Sequence, residues 1–312
     1  MKLFSLKVFL FLLPIFIMMF SEEYMLRRIP NDYTKKREVM LDKEQEFQVL
    51  SLGSSHTYYG VDPQYFDLAT FNASHISQSV DVDYILVHEY LKNKKSIKYV
   101  TLPIDYQSLF RRLSKGSTNW RMKNYVLYYD LAEVDNFKNN FEIMNFNYKV
   151  SLSRLFNYYV RGKDEVTSDQ KGFAHIHVSN KSDLQLEEEL RASAIKTAKR
   201  HTAASDEHFE YNTQVLRDLA KELKKQDITL VLYTSPCHSS YVELLDENQL
   251  SKTLDFANSF AGEYDNIHYV NYLQNPIFKT RDFSDSDHLN EEGAHKLSVL
   301  LNQEINKLEK AI

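Results

Sequence analysis

A single cysteine, Cys237, stands in 312 residues, so neither an internal disulfide nor a cysteine-based zinc cluster can hold this chain together. Glycine and proline are scarce, at 7 and 6 residues, which excludes collagen-like, linker-rich and turn-dense β architectures. No Gly-x-Gly-x-x-Gly turn and no Walker-type phosphate loop occurs, so no nucleotide cofactor is expected. A basic excess is missing too. The net charge of −5 is the wrong sign for neutralising phosphates, and nucleic acid is not an expected partner. What is present is apolar and aromatic: 43% hydrophobic residues, with 21 Tyr and 19 Phe, is the composition of a chain that folds. At roughly 150 residues per domain, the length suits two units or one large α/β domain with an insertion.

Lys2 and Lys7 precede an apolar run, Val8 to Phe20, broken only by Pro14 and followed by Ser21, Glu22 and Glu23. This is the pattern of a targeting segment. Met18-Met19-Phe20-Ser21 offers no small-x-small cleavage site, so residues 1–23 are read as an uncleaved signal anchor with the body outside the cytoplasm. Arg27, Arg28, Lys35, Lys36 and Arg37 put more positive charge after the run than before it, against the positive-inside rule. The charged stretch 24–46, with Ile29-Pro30-Asn31-Asp32, reads as a membrane-proximal stalk.

The body, 47–312, alternates strand and helix. Phe47 to Leu52 stops at Gly53 as a buried parallel strand would. Ala69 to Ala73 and Ile97 to Leu102 are further short strands, separated by a helix at Asp81 to Leu91 with Ile85, Leu86, Tyr90 and Leu91 facing a sheet. Then come a helix at Asp206 to Lys225, a strand at Ile228 to Tyr233, a helix at Tyr241 to Phe260, a strand at Ile267 to Tyr272 and a last helix from Glu291 to about Leu308. The succession predicts an α/β fold, three layers α/β/α around a parallel sheet. Between about 106 and 205 the pattern breaks into an aromatic-rich insertion, including Trp120, Tyr125, Tyr128, Tyr129, Phe146, Phe156 and Tyr159, expected to be mainly helical. Its rings can serve as its own core or as a glycan-stacking surface. Asp183 to Arg191 reads as an exposed helix face.

Two segments carry candidate chemistry. Gly53-Ser54-Ser55-His56 follows the first body strand, where ligands bind in parallel sheets, although such a turn can equally cap the next helix. Asp285-Ser286-Asp287-His288 precedes the last helix. An Asp three residues before a His can hold its Nδ1–H and leave Nε2 to take a proton from a serine. On the alternative reading Asp287 and Asn290 are helix caps and His288 lies on the surface. Together the segments supply Ser55 as nucleophile, His288 as base and Asp285 as orienter, a set suited to acyl transfer or ester hydrolysis. His238, after the strong strand, lines either an acceptor pocket or a surface turn. Cys237 could be a nucleophile only with a lowered pKa. His175-x-His177 lacks further ligands at metal spacing, so no metal is expected. Asn72-Ala73-Ser74 matches a glycosylation sequon at a buried strand end.

Gly53-Ser54-Ser55-His56 and Asp285-x-x-His288 resemble the first and last blocks of the SGNH (GDSL-like) hydrolase superfamily. Together with the anchor and Phe71-Asn72-Ala73-Ser74, they are similar to membrane-tethered members linked to acyl transfer onto cell-envelope polymers, such as the D-alanine transfer proteins of lipoteichoic acid synthesis. The resemblance implies the three-layer fold, Ser55, His288 and Asp285 as the triad, and an oxyanion-binding second block around Asn72 and Ser74 beside Gly53. It also implies a cell-surface glycan or polymer as substrate and a membrane-bound acyl donor as partner. Where the family's third block carries an oxyanion Asn, this chain reads Leu102-Pro103-Ile104-Asp105. A protein that kept the fold and lost the chemistry, binding glycan without turning it over, is the alternative expectation.

Overall fold

Short apolar runs rich in β-branched and aromatic residues become the strands of one parallel sheet. The computed structural model describes residues 2–42, 44–91, 96–131 and 136–311. Strands β1 (Val49–Ser51), β2 (Thr70–Asn72), β3 (Tyr99–Pro103), β4 (Thr229–Thr234) and β5 (Ile267–Asn271) lie in the order β2-β1-β3-β4-β5. All neighbours are parallel, with Val49 level with Thr70 and Tyr99, and Tyr99 level with Thr229. In chain order the helices are α1 (Lys2–Arg27), α2 (Asp32–Leu41), α3 (Ser55–Gly60), α4 (Val80–Leu91), α5 (Met122–Tyr129), α6 (Tyr148–Tyr159), α7 (Asp183–His201), α8 (Phe209–Lys224), α9 (Ser239–Val242), α10 (Glu247–Ala261) and α11 (Glu291–Ala311). The α/β class is the one the alternation predicts. The helix expected over Tyr241 to Phe260 is broken in two, because Asp246 turns away to cap α10 by accepting the Gln249 N–H. The Tyr90 side chain lies outside the described residues.

The chain divides into two units, one of Met40–Gly116 with Ser168–Ile312 and one of Met1–Val39 with Ser117–Thr167. In the sheet unit, Val49, Tyr99 and Val231 share a face and pack on Ile305 of α11. The alternating Leu50, Val100, Leu230 and Leu232 are equally buried, as a sheet covered on both sides requires. α7 returns to this core, with Leu186 and Leu190 against Leu297 and Leu301. The expected insertion over 106–205 is therefore shorter than its aromatic composition indicates: only 117–167 leave the sheet unit. Asp183 to Arg191 is only in part an exposed face, since Leu186 and Leu190 fill core positions.

The other unit is helical and aromatic. Tyr33 meets Tyr125 and Tyr129 edge to face at 5.3 and 6.3 Å. Glu142, fully buried, takes Lys123 at 2.7 Å, Arg154 at 2.6 Å and the Tyr128 hydroxyl at 2.5 Å. Burial would raise its pKa, but the two cations outweigh that and lower it. The expected stalk at 24–46 is not a stalk. α1 continues to Arg27, α2 follows, and Leu26, Ile29, Asn31, Asp32 and Lys36 are buried. Their polarity hid this, because each polar group finds a partner: Asp32 accepts the Thr167 N–H and hydroxyl, and Asn31 accepts the N–H groups of Tyr33 and Thr34. The stretch Leu3–Arg27 is long and apolar enough to cross a membrane, features a signal sequence shares.

Candidate active site

The strand order reverses between β1 and β3, and the candidate residues gather at the carboxyl ends of those strands. β1 ends in a turn at Gly53, whose φ of +117° only glycine adopts without strain. A Cβ there would stand 2.5 Å from Pro103 Cδ and 2.8 Å from Thr57 Oγ1, so the turn is also closed to any side chain. Its N–H donates to buried Asp83 at 2.9 Å, and Gln78 Nε2 donates to the same oxygen at 2.6 Å. Desolvation raises the Asp83 pKa to about 7, against the lowering effect of those two hydrogen bonds.

This turn delivers Ser55 to the first position of α3. Ser54, at the cap, makes no capping bond. His288 Nε2 lies 2.8 Å from Ser55 Oγ, and His288 Nδ1 lies 2.9 and 3.0 Å from the two oxygens of Asp285. The Asp285 carboxylate also accepts the N–H groups of Asp287 and His288, so one side chain shapes the loop and orients the ring. With a proton on Nδ1 facing Asp285, Nε2 is left as acceptor for the serine hydroxyl. The three residues read from sequence are thus brought together in one hydrogen-bonded line, with the imidazole about 15% exposed at its end.

Behind the line lies a second one. His56 is buried, with Nδ1 2.7 Å from Asp105 and Nε2 3.1 Å from Asp287. Burial alone would lower its pKa; the two carboxylates outweigh burial and raise it to about 10, so His56 is an imidazolium at neutral pH. Asp287 is held well below the carboxylate range, its burial overcome chiefly by His288 and His56. Its other oxygen has no hydrogen-bond partner and lies 3.6 Å from His288 Nδ1. Asp287 is therefore no helix cap. Asn290 is one, accepting the N–H groups of Glu292 and Gly293. Asp105, standing where the sequence resemblance led to the expectation of an asparagine, spends its charge on His56. The signals were in the sequence, in the His beside the serine and the Asp two residues past β3, but a pairing across 49 residues is visible only in the fold.

Other candidates are placed differently. Asn72 is buried and its Nδ2 donates to the carbonyls of Thr57 and Val61 at 2.8 Å, while its Oδ1 takes the Ser74 N–H and hydroxyl. Both residues are spent anchoring α3 to the end of β2, which corrects the expectation that they bind an oxyanion and leaves the sequon asparagine inaccessible. Gly53, its N–H on Asp83, is likewise unable to donate to one. The N–H groups of Ser55 and His56, at the first positions of α3, have no intrahelical acceptor. His238 takes the Ser240 N–H at 3.4 Å and lines a cavity of about 750 Å³ with Glu187, Gln274, Phe278, Thr280 and Phe283, a lining that includes none of Ser55, Asp285 and His288. Cys237 is buried and its thiol pKa is pushed well up by desolvation, the opposite of an activated nucleophile. His175 and His177 lie in an irregular segment, facing Asp169 at 3.7 Å and Glu291 at 3.1 Å. Among the described residues, the ligand atoms of His56, Asp287 and His288 come within 4.8 Å of one another. Both imidazoles already use both nitrogens, a donor set that fits proton chemistry better than a metal ion.

No protein-family model matches the chain, and no curated protein does. Among solved structures it is similar to a protein assigned as an acylhydrolase from Bacteroides fragilis, at 13% identity and TM-score 0.41, covering 92% of this chain and 94% of that one. It is similar as well to a GDSL-like lipase from Bacteroides thetaiotaomicron, at 12% identity and TM-score 0.44 over 88% and 99% of the two chains. A third structure, described as a platelet activating factor from Streptococcus pneumoniae, matches at 11% identity and TM-score 0.42 over 95% and 98%. The likeness is one of chain trace, and the chemistry has to be read from this chain's own side chains.

Proposed function

We propose that the protein is a membrane-anchored serine acyltransferase or acylesterase of the SGNH type, acting outside the cytoplasm on a cell-surface glycan. One observation carries the reading: the line Ser55 Oγ, His288 Nε2, His288 Nδ1, Asp285, with contacts of 2.8 and 2.9 Å. A serine hydroxyl is nearly inert at neutral pH until a positioned base removes its proton. Ser55 Oγ attacks the acyl carbonyl carbon as its proton passes to His288 Nε2, and Asp285 stabilises the imidazolium that forms. The developing oxyanion falls to the N–H groups of Ser55 and His56. His288 returns the proton to the leaving group, which departs and leaves an ester on Ser55. An acceptor hydroxyl, from a sugar in transfer or from water in hydrolysis, then loses its proton to His288 and attacks the ester carbonyl; the bond to Ser55 Oγ breaks and His288 returns the proton to Ser55.

The anchor is supported by the course of α1. The helix runs unbroken from the apolar stretch into a folded unit where Glu23, Leu26 and Ile29 are buried, so no extended segment stands at the junction for a signal peptidase. A tether suits a polymer substrate and a membrane-bound acyl donor, and tilts the reading towards transfer.

The test is fluorophosphonate labelling of the full chain in detergent. Labelling of the wild type that is lost in Ser55→Ala and His288→Ala is expected. A folded wild-type chain that never labels would overturn the reading in favour of a glycan-binding protein. Unchanged O-acyl content of the surface polymer in a Ser55→Ala strain would remove transfer and leave hydrolysis.

A further inference from the structure

On α6, Tyr148, Leu152, Phe156 and Tyr159 recur at i, i+4, i+8 and i+11, so they form one stripe along the helix. They do not face a core. Their exposures are 61, 43, 48 and 46%, while the helix's other side buries Ser151 and ties Arg154 to Glu142 and Glu165. Val160, just past the helix, extends the exposed apolar surface at 67%. A stripe of four large side chains on a folded surface marks a contact with something apolar.

The position of α6 says what that is. It packs on α1, and the Tyr159 hydroxyl donates to the Met25 carbonyl at 3.0 Å. Met25 lies five residues beyond the apolar run ending at Phe20, about 8 Å along a helix, which is the depth of a lipid headgroup layer. Basic and aromatic groups surround the stripe. The Arg161 guanidinium lies over the Phe156 ring at 5.0 Å and that of Arg28 over Tyr24 at 4.5 Å, with Lys149 and Lys163 also exposed; the carboxylates Glu22, Asp164 and Glu165, the last paired to Arg154, lie in the same segments. Aromatic rings flanked by cations are the groups that favour the boundary between acyl chains and anionic headgroups.

We propose that α6 is an interfacial helix whose Tyr148-Leu152-Phe156-Tyr159 face lies in the outer headgroup region of an anionic bilayer. This rests on α1 crossing that bilayer, and gives the helical unit a second point of attachment. The anchor then does not swing freely; the unit is held flat to the membrane surface.

The test uses the full chain in vesicles of phosphatidylcholine and phosphatidylglycerol, in a Cys237→Ser background, with single cysteines carrying an environment-sensitive fluorophore. Positions are Leu152→Cys and Phe156→Cys on the stripe and Phe11→Cys in the anchor. Lipids with nitroxides near the headgroup are expected to quench positions 152 and 156 by more than about half, as a face buried 5–10 Å requires. Deep nitroxides are expected to quench position 11. Quenching at 11 without quenching at 152 and 156 overturns the interfacial helix and leaves the anchor standing. No quenching at 11 removes both. Emission at 152 and 156 that is shifted to the blue yet unquenched by lipid also overturns the proposal, and assigns the stripe to a second protein surface. Circular dichroism matching the wild type checks that each labelled chain is folded.

Discussion

His56 holds a proton between two buried carboxylates, next in sequence to the serine it supports. Its folded pKa of about 10 lies above the ordinary histidine value, so the stabilisation is complete below about pH 6.5 and fades as pH rises through 10. The thermal midpoint of the wild type is therefore expected to fall between pH 7 and 10, and His56→Gln, which has no charge to lose, is expected to be flatter there. His56→Ala strands Asp105 and Asp287 and is expected to cost about 3–5 kcal/mol, measurable by denaturant unfolding. Asp285→Asn keeps the loop but releases the tautomer, and labelling at Ser55 is expected to slow by about 10² to 10⁴-fold. At this scale the residues that meet in the Ser55–His288–Asp285 line were legible because each sits in a short segment with its own local logic. The second line was not, since Asp105 looks like a missing asparagine until His56 is seen against it.

The turn between β1 and α3 is the element that most needs its residues. Gly53→Ala would have to hold φ near +117° and push into Pro103, and a loss of roughly 2–4 kcal/mol is expected in chemical denaturation. Asp83 beneath it works the other way. A buried carboxyl with a folded pKa near 7 binds its proton more tightly than the unfolded chain does, so it weakens the fold progressively as pH rises from about 4 to 7. Asp83→Asn still accepts from Gly53, and its advantage in thermal midpoint over the wild type is expected to grow across that window. The strands and long helices were readable from periodicity, because burial on both faces leaves short apolar runs and one-sided burial leaves stripes. The segment at 24–46 was not, because Asp32 and Lys36 are buried as polar groups with partners, and composition alone cannot distinguish that from solvation.

For the whole molecule, the division into units matters more than the division into anchor, stalk and body. Composition located the aromatic insertion but not its limits, since α7 alternates exposed glutamates with core leucines. It also gave no sign that the residues just after the apolar run belong with the insertion. A chain beginning at Pro30 lacks Glu23, whose carboxylate takes the N–H groups of Glu142 and Ile143 at 3.0 Å, and lacks buried Leu26 and Ile29. Proteolysis within 117–167 is expected to be faster in that chain than in one beginning at Ser21, with the sheet unit equally resistant in both.

The helical unit is made from Met1–Val39 and Ser117–Thr167, so its two halves are synthesised far apart in time. The ribosome delivers α1 first, then β1 to β3, and only afterwards the segment bearing Glu142 and Arg154. Until that segment has emerged, Glu23 lacks the Glu142 and Ile143 N–H groups that its carboxylate takes in the folded unit. Nascent chains stalled before that point should offer this junction to chaperones and proteases at the membrane, and chains stalled beyond it should not.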